Sequence, residues 1–146
     1  MKYIKQLGYP TGWKTVLDYG CGVGRQTRVL AKYFQRCYRI DISESMINKA
    51  RERNQTVSNC KFVVNNKENI NIFPDNYFDM IYTAYALQHN PSRSLIKSYI
   101  SEFIHILKKT GILIFQLAHS NMVNSMPAFT AERKQPFAFT YLFCKR

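Results

Sequence analysis

The seven residues Asp18-Tyr19-Gly20-Cys21-Gly22-Val23-Gly24 constrain this chain more than any other stretch. They follow the apolar run Thr15-Val16-Leu17, and from Arg25 to Phe34 the apolar residues Val29, Leu30, Tyr33 and Phe34 recur at helical spacing. A buried strand that ends in closely spaced glycines and restarts as a helix is an entry unit of an open α/β sheet. Glycines let the backbone approach a ligand that a Cβ would hold off, and they accept φ > 0. The turn and the helix start are expected to aim backbone N–H groups at a ligand anion. Dinucleotide enzymes use a similar turn with the spacing G-x-G-x-x-G/A. Here the sixth position is Arg25, too bulky for the close helix–strand packing that the last glycine permits. The order is an acid followed by G-x-G-x-G. Asp18 beside the loop repels a pyrophosphate and attracts the ammonium of a bound amino acid.

The strand–helix alternation continues. Cys37 to Ile42 reads as a second strand, and Ser43 as the N-cap of a helix carrying Met46, Ile47 and Ala50 to about Asn54. Lys61 to Val64 is a third strand, and Phe78 to Ala84 a fourth after the turn Pro74-Asp75-Asn76. From Ser94 to Leu107 the residues Leu95, Ile96, Tyr99, Ile100, Phe103, Ile104 and Leu107 line one side of an amphipathic helix. Lys108, Lys109 and Gly111 suit its C-terminus. Ile112 to Leu117 is a fifth strand, and Phe137 to Phe143 is expected as a last one. Apolar strands separated by helices predict a mostly parallel sheet covered on both faces, with right-handed crossovers and the ligand at the strands' carboxyl ends. No linker, repeat or low-complexity stretch interrupts residues 1–146, which read as one domain.

Asp41 ends the second strand, 17 residues past Gly24, where a carboxylate can accept hydrogen bonds from ribose hydroxyls. Taken alone such an aspartate is a cap or turn residue; its register with the glycine loop points to a nucleoside. With these residues in place, Val16 to Arg25 resembles motif I of the class I S-adenosylmethionine-dependent methyltransferases. Ile40 to Met46 resembles their second motif, Phe73 to Ile81 the segment entering strand four in the small-molecule branch (the methyltransferase type 11-like group), and Leu107 to Leu113 the turn into strand five.

The resemblance implies a three-layer Rossmann-like α/β sandwich, strand order 3-2-1-4-5 with one antiparallel C-terminal strand, truncated relative to the family. It implies that S-adenosylmethionine is the cofactor and S-adenosylhomocysteine the product. Asp18 would hold the methionine amine, Gly20, Cys21 and Gly22 would lie against the cofactor, and Asp41 would bind the ribose with Ile42 on the adenine. Asn66 falls where the family commonly has an aspartate facing the adenine amino group, and an asparagine oxygen can still accept from it; Lys67 would flank it. Thr83 and Tyr85 would line the methyl-donor end. A sulfonium is an activated donor, so catalysis rests mainly on holding the acceptor in line with the methyl group. Where the acceptor must lose a proton, His89 is the candidate base, though a loop histidine that caps or packs is the plainer reading. His105 reads as structural and His119 as a weaker pocket candidate.

About fourteen residues precede the first strand and some thirty follow the fifth, which leaves room for one terminal strand and no substrate lid. The lid is then missing, supplied by a partner chain or a second copy, or unnecessary because the acceptor is large. The net charge of +12 raises an RNA acceptor as an alternative, with the stripe Arg25, Arg28, Lys32 and Arg36 as its surface. Such a stripe is also what any surface helix shows, so the reading favours a small-molecule acceptor over nucleic acid. A further alternative is a reduced cofactor- or nucleic-acid-binding domain without efficient catalysis. An aminopropyl-transfer relative would need carboxylates set for a polyamine, and Asp75 and Asp79 fit the strand-four motif better. The cysteines at 21, 37, 60 and 144 have neither metal-ligand nor disulfide-framework spacing, so no metal is expected. No apolar run spans a membrane and no secretory pattern opens the sequence, so a cytoplasmic protein is expected.

Overall fold

In a computed structural model, which describes residues 4, 6, 8, 10–90, 92–117, 130–135 and 138–145, five parallel strands carry the fold. They are β1 (Thr15–Tyr19), β2 (Arg36–Asp41), β3 (Cys60–Val64), β4 (Phe78–Thr83) and β5 (Leu107–Leu117). β6 (Thr130–Gln135) and β7 (Ala138–Cys144) complete a seven-stranded sheet in the order β3-β2-β1-β4-β5-β7-β6. β7 runs antiparallel to β5, pairing Ile112 with Cys144 and Leu117 with Phe139. The expected order 3-2-1-4-5 and the antiparallel neighbour of strand five are both present. The sheet has one strand more than the room after strand five led us to expect. β6 folds back on β7 in antiparallel register, from Thr130 opposite Leu142 to Gln135 opposite Ala138. Of the residues expected in the last strand, Phe137 lies outside the described residues, as does His119.

Side chains alternate across the sheet. Leu17, Ile81, Leu113, Phe115 and Tyr141 pack on one face with Ile96, Tyr99, Ile100, Phe103 and Ile106. Val16, Met80, Ile112, Ile114 and Leu142 pack on the other with Leu30 and Phe34. Ile96, Tyr99, Ile100, Phe103 and Ile106 belong to the helix α3 (Arg93–Ile106), capped by the Ser92 hydroxyl, which accepts from the Leu95 amide. Five buried α3 side chains at roughly 1.5–3 kcal/mol each hold this helix to the sheet far more firmly than its intrinsic propensity could.

α3 does not end in a glycine cap. Leu107 is extended (φ −79°, ψ 135°) and opens β5 directly. Lys108, Lys109 and Gly111 are therefore strand residues, not the helix terminus that the sequence suggested. The reason is tertiary: Leu107 is fully buried opposite Phe78, and Lys108 Nζ reaches both Asp79 carboxylate oxygens at 2.9 Å. The same Asp79 carboxylate accepts from the Thr15 amide at 2.8 Å, the Thr15 hydroxyl at 3.0 Å and the Lys14 amide at 3.2 Å. It thus ties the amino ends of β1, β4 and β5 together.

The helix after the glycine loop is short. α1 spans Thr27–Ala31, not the Arg25 to Phe34 that the periodicity suggested, because the residues before Thr27 are used up in turns. α2 (Glu44–Arg53) matches expectation, with the Ser43 hydroxyl accepting from the Met46 amide. Among the described residues no helix is long and apolar enough to cross a membrane.

Candidate functional site

β1, β2 and β4 all deliver their carboxyl ends to one edge of the sheet, and the glycine loop closes over it. Gly20, Gly22 and Gly24 take φ of +70°, +52° and +73°. At Gly20 a side chain would also run into the Ala86 methyl, whereas at Gly22 the space is open for 4 Å. Gly22 therefore leaves room for a ligand, and Gly20 for the chain that follows β4.

The loop spends its amides internally. Gly20 N and Cys21 N both donate to the Ile40 carbonyl, at 2.8 and 2.9 Å, and Gly24 N donates to the Cys21 carbonyl at 3.0 Å. Gly22 N donates to Asp41 Oδ2 at 2.8 Å, while Asp41 Oδ1 accepts from Ser43 N at 2.9 Å. For Gly20, Cys21, Gly22 and Gly24 the expectation that the amides aim at a ligand anion is corrected: they bond within the protein, around the end of β2. Asp41 joins the loop to the start of α2, and a carboxylate has about four lone-pair directions, so two remain for a ligand.

Two cavities flank the loop and share Gly20, Ala84 and Tyr85. One, of about 490 Å³, is lined by Tyr19, Asp41, Ile42, Asn65, Leu87 and His89 among others. The other, of about 390 Å³, is lined by Asp18, Cys21, Gly22, Arg25, Met46 and Tyr82 among others. In a chain of net charge +12 the floor of this cleft holds two carboxylates, Asp18 and Asp41. Arg39 pairs with Asp18, so Asp41 is the carboxylate left to meet a ligand, and it disfavours a polyphosphate.

Burial raises the Asp18 carboxyl, and the charge and hydrogen bond of Arg39 oppose the rise. Arginine does not give up its proton, so protonating Asp18 would strand a buried guanidinium; the pair stays ionised. The Cys21 thiol is pushed up to about 12, mainly by burial and then by the Asp18 charge, so it is a neutral wall group and no nucleophile at neutral pH.

Most of the expected site residues converge here. Asp18, Gly20, Cys21, Gly22, Asp41, Ile42, Tyr85 and His89 line one or both cavities. His89 is exposed, at the end of a 3-10 turn (Leu87–His89), beside Asn90. Tyr85 holds φ +67°, a strained conformation for a bulky residue, with its ring about half exposed between the two cavities. Thr83 is 1% exposed with its hydroxyl turned into the protein, and Tyr82, Ala84 and Tyr85 form the wall at that point. Asn66 and Lys67 are exposed on the loop after β3, and their neighbour Asn65 lines the cavity. Asn65 donates to the Asn69 carbonyl at 2.7 Å and accepts from the Lys67 amide at 3.2 Å, which fixes that loop. His105 is exposed on α3, away from these walls. Asp79 is bound to Lys108 at the opposite end of the strands, and Asp75 lies exposed in the turn before β4, so neither can serve a polyamine in the cleft.

Two contributors escaped the sequence reading. Asn65 carried no signal beyond its position next to Asn66. Arg39 did: it is an arginine between Tyr38 and Ile40 in the apolar part of a strand, and a buried group of that kind is retained only with a partner.

The methyltransferase-domain family model matches residues 17–115. A relative from Synechocystis, 2-methyl-6-phytyl-1,4-hydroquinone methyltransferase, is 34% identical over 68% of this chain and 30% of its own length. The chain spans less than half the length of the curated relatives it matches. Among solved structures, the PH0226 protein of Pyrococcus horikoshii superposes with TM-score 0.80, 21% identity and coverage of 99% of this chain and 89% of that one. The N-methyltransferase NodS of Bradyrhizobium japonicum, solved with S-adenosylhomocysteine, gives TM-score 0.79 at 18% identity, covering 99% of this chain and 84% of its own.

Proposed function

Because this chain belongs to the methyltransferase-domain family, whose methyl donor is S-adenosylmethionine, we propose that it transfers that methyl group to a small-molecule acceptor by in-line displacement. The observation that carries the reading is the grip of Asp41 on the Gly22 amide, which sets a carboxylate and an open glycine side by side on the cleft floor. Asp41 would accept the ribose hydroxyls and Ile42, 71% exposed, would be covered by the adenine. Asp18 would meet the methionine ammonium, and Asn65 or Asn66 the adenine amino group. Tyr85 stands where the donor and acceptor ends would meet, and its strain supports a role there. His89 would take a proton from the acceptor where one must leave.

Cavities of about 490 and 390 Å³ suit a cofactor and a small acceptor, and the hydroquinone substrate named for the Synechocystis relative supports that class. Met46 and Tyr85 remain exposed at the rim, which supports closure by a partner chain or a second copy. The reading places the protein in the cytoplasm. A nucleic-acid acceptor is the second reading, favoured by a hollow beside the loop lined by Arg25, Arg28 and Arg53.

Incubation with methyl-labelled S-adenosylmethionine and a size-fractionated cell extract tests both. Label should enter the small-molecule fraction, and RNA binding at physiological ionic strength should be weak. Arg25 precedes α1 and Arg36 opens β2, so the expected stripe Arg25, Arg28, Lys32 and Arg36 is not one helix face. Label in RNA, with affinity that falls steeply with salt and is lost when these four residues become Gln, would refute a small-molecule acceptor.

A further inference from the structure

Arg39 stands opposite Asp18 in the β1–β2 register and is fully buried. Its Nη1 donates to Asp18 Oδ2 at 2.5 Å and its Nη2 to the Thr27 carbonyl at 3.2 Å, while Nε is buried without a partner. Burying a guanidinium costs several kcal/mol before its contacts repay it, and an ion pair of this kind is commonly replaceable by apolar side chains with no loss of stability. Stability alone is therefore a poor account of it. The two groups it touches bracket the glycine loop: Asp18 enters it at the end of β1, and Thr27 leaves it at the first residue of α1.

We propose that Arg39 is a positioning residue for the methyl-donor site, holding the Asp18 carboxylate ionised and oriented while pinning α1 through the Thr27 carbonyl. The inference rests on the reading of the cleft as an S-adenosylmethionine site. One guanidinium fixes both ends of the loop, and its planar fork lets it do so with two hydrogen bonds at a set angle. A lysine would keep the charge but, as a single point donor, could not hold both. Without any cation, Asp18 is a buried carboxylate with no counter-charge, which takes up a proton and ceases to attract an ammonium group.

The other titratable groups facing Asp18 are Asp41 at the end of β2, Cys21 in the loop, Tyr82 on β4, and Cys37 and Cys60 beyond Arg39. Burial keeps Cys21 and Tyr82 neutral at physiological pH. The hydrogen bond from Cys37 brings the Cys60 thiol down to about 7, and the Arg39 charge and hydrogen bond add to the lowering, so its titration would shift in the Arg39 variants; Cys60→Ala in every protein compared, wild type included, removes it.

The test is S-adenosylhomocysteine binding by calorimetry between pH 6 and 8, with thermal unfolding run in parallel. Wild-type affinity should be nearly flat over this range. Arg39→Met should bind at least tenfold more weakly at pH 7 and recover as the pH rises toward 8. Arg39→Lys should lie between the two with unfolding close to wild type, and it carries the test alone if Arg39→Met does not fold. The double variant Asp18→Leu/Arg39→Met, an apolar pair of similar volume, should fold and still bind at least tenfold more weakly. A double variant or an Arg39→Lys protein that binds within twofold of wild type would overturn the proposal and leave the cleft's assignment standing. Wild type that binds no S-adenosylhomocysteine would overturn the assignment and the proposal with it.

Discussion

Asp41→Ala should weaken S-adenosylhomocysteine binding by about 1.5–3 kcal/mol, tenfold to somewhat over a hundredfold, with little change in the fold. Two losses combine. The ribose hydroxyls would lose a charged acceptor, which is the larger part, since hydrogen bonds to charged groups contribute about 1.5–3 kcal/mol. The Gly22 amide, now 2.8 Å from Oδ2, and the Ser43 amide, 2.9 Å from Oδ1, would also lose their acceptor. Both lie near solvent, so water can replace the carboxylate at small cost to stability. Asp41→Asn separates the effects, because it keeps an acceptor for one amide but removes the charge; it should recover only part of the affinity. Titration of the three proteins with S-adenosylhomocysteine, beside their thermal unfolding, checks this. Equal affinities would remove Asp41 from the site.

Asp79→Ala should have the largest effect on stability, about 2–4 kcal/mol, with a fall in Tm of roughly 10 °C. Asp79 is 5% exposed and serves Lys14, Thr15 and Lys108 at once. Lys108, 31% exposed, can turn to water when its partner goes, so the cost falls on the buried Thr15 amide at the start of β1. The effect depends on pH. Burial acts to raise the Asp79 carboxyl, but the Lys108 hydrogen bond, the Thr15 amide and hydroxyl, and the Lys108 charge outweigh it and hold the group below its ordinary value. A depressed carboxylate contributes stability that is fully present above its unfolded value, about 3.9, and is lost as the pH falls through the folded value. Wild type should therefore lose stability below about pH 4 more steeply than Asp79→Asn. Denaturant unfolding at pH 7 and pH 3 measures both; curves with the same pH dependence would mean that the carboxylate is not held as the structure has it.

Much of this was legible in the residues. That β1 to β5 are parallel strands followed from apolar runs alternating with helical periodicity, because a parallel sheet covered on both faces leaves that pattern; their order 3-2-1-4-5 came with the family resemblance. Ser43 announced the start of α2 through a local rule that tertiary structure did not override. Where local rules competed with packing, packing won. Lys108-Lys109-Thr110-Gly111 has the composition of a helix end, but buried Leu107 and the pull of Asp79 on Lys108 draw the segment into β5. β6 was missed because Thr130 to Gln135, Thr-Ala-Glu-Arg-Lys-Gln, carries no apolar alternation to read.

In the site, spacing identified Gly20, Gly22 and Asp41 but not how they are joined. The loop's use of its own amides depends on the Ile40 carbonyl, 20 residues from Gly20, and no local pattern encodes a contact of that kind. Thr83 shows the opposite limit. Side chains in a strand alternate between faces, so moving one residue along β4 exchanges a cavity wall for the core, and Tyr82 and Ala84 line the cavity instead.

The central claim is that the cleft over β1, β2 and β4 binds S-adenosylmethionine and not a nicotinamide dinucleotide. Isothermal titration of the folded wild-type chain with S-adenosylmethionine, S-adenosylhomocysteine and NAD tests it most directly. One site for each sulfur ligand and no heat with NAD is the predicted result. A folded chain that binds neither sulfur ligand, or that prefers NAD, would contradict it.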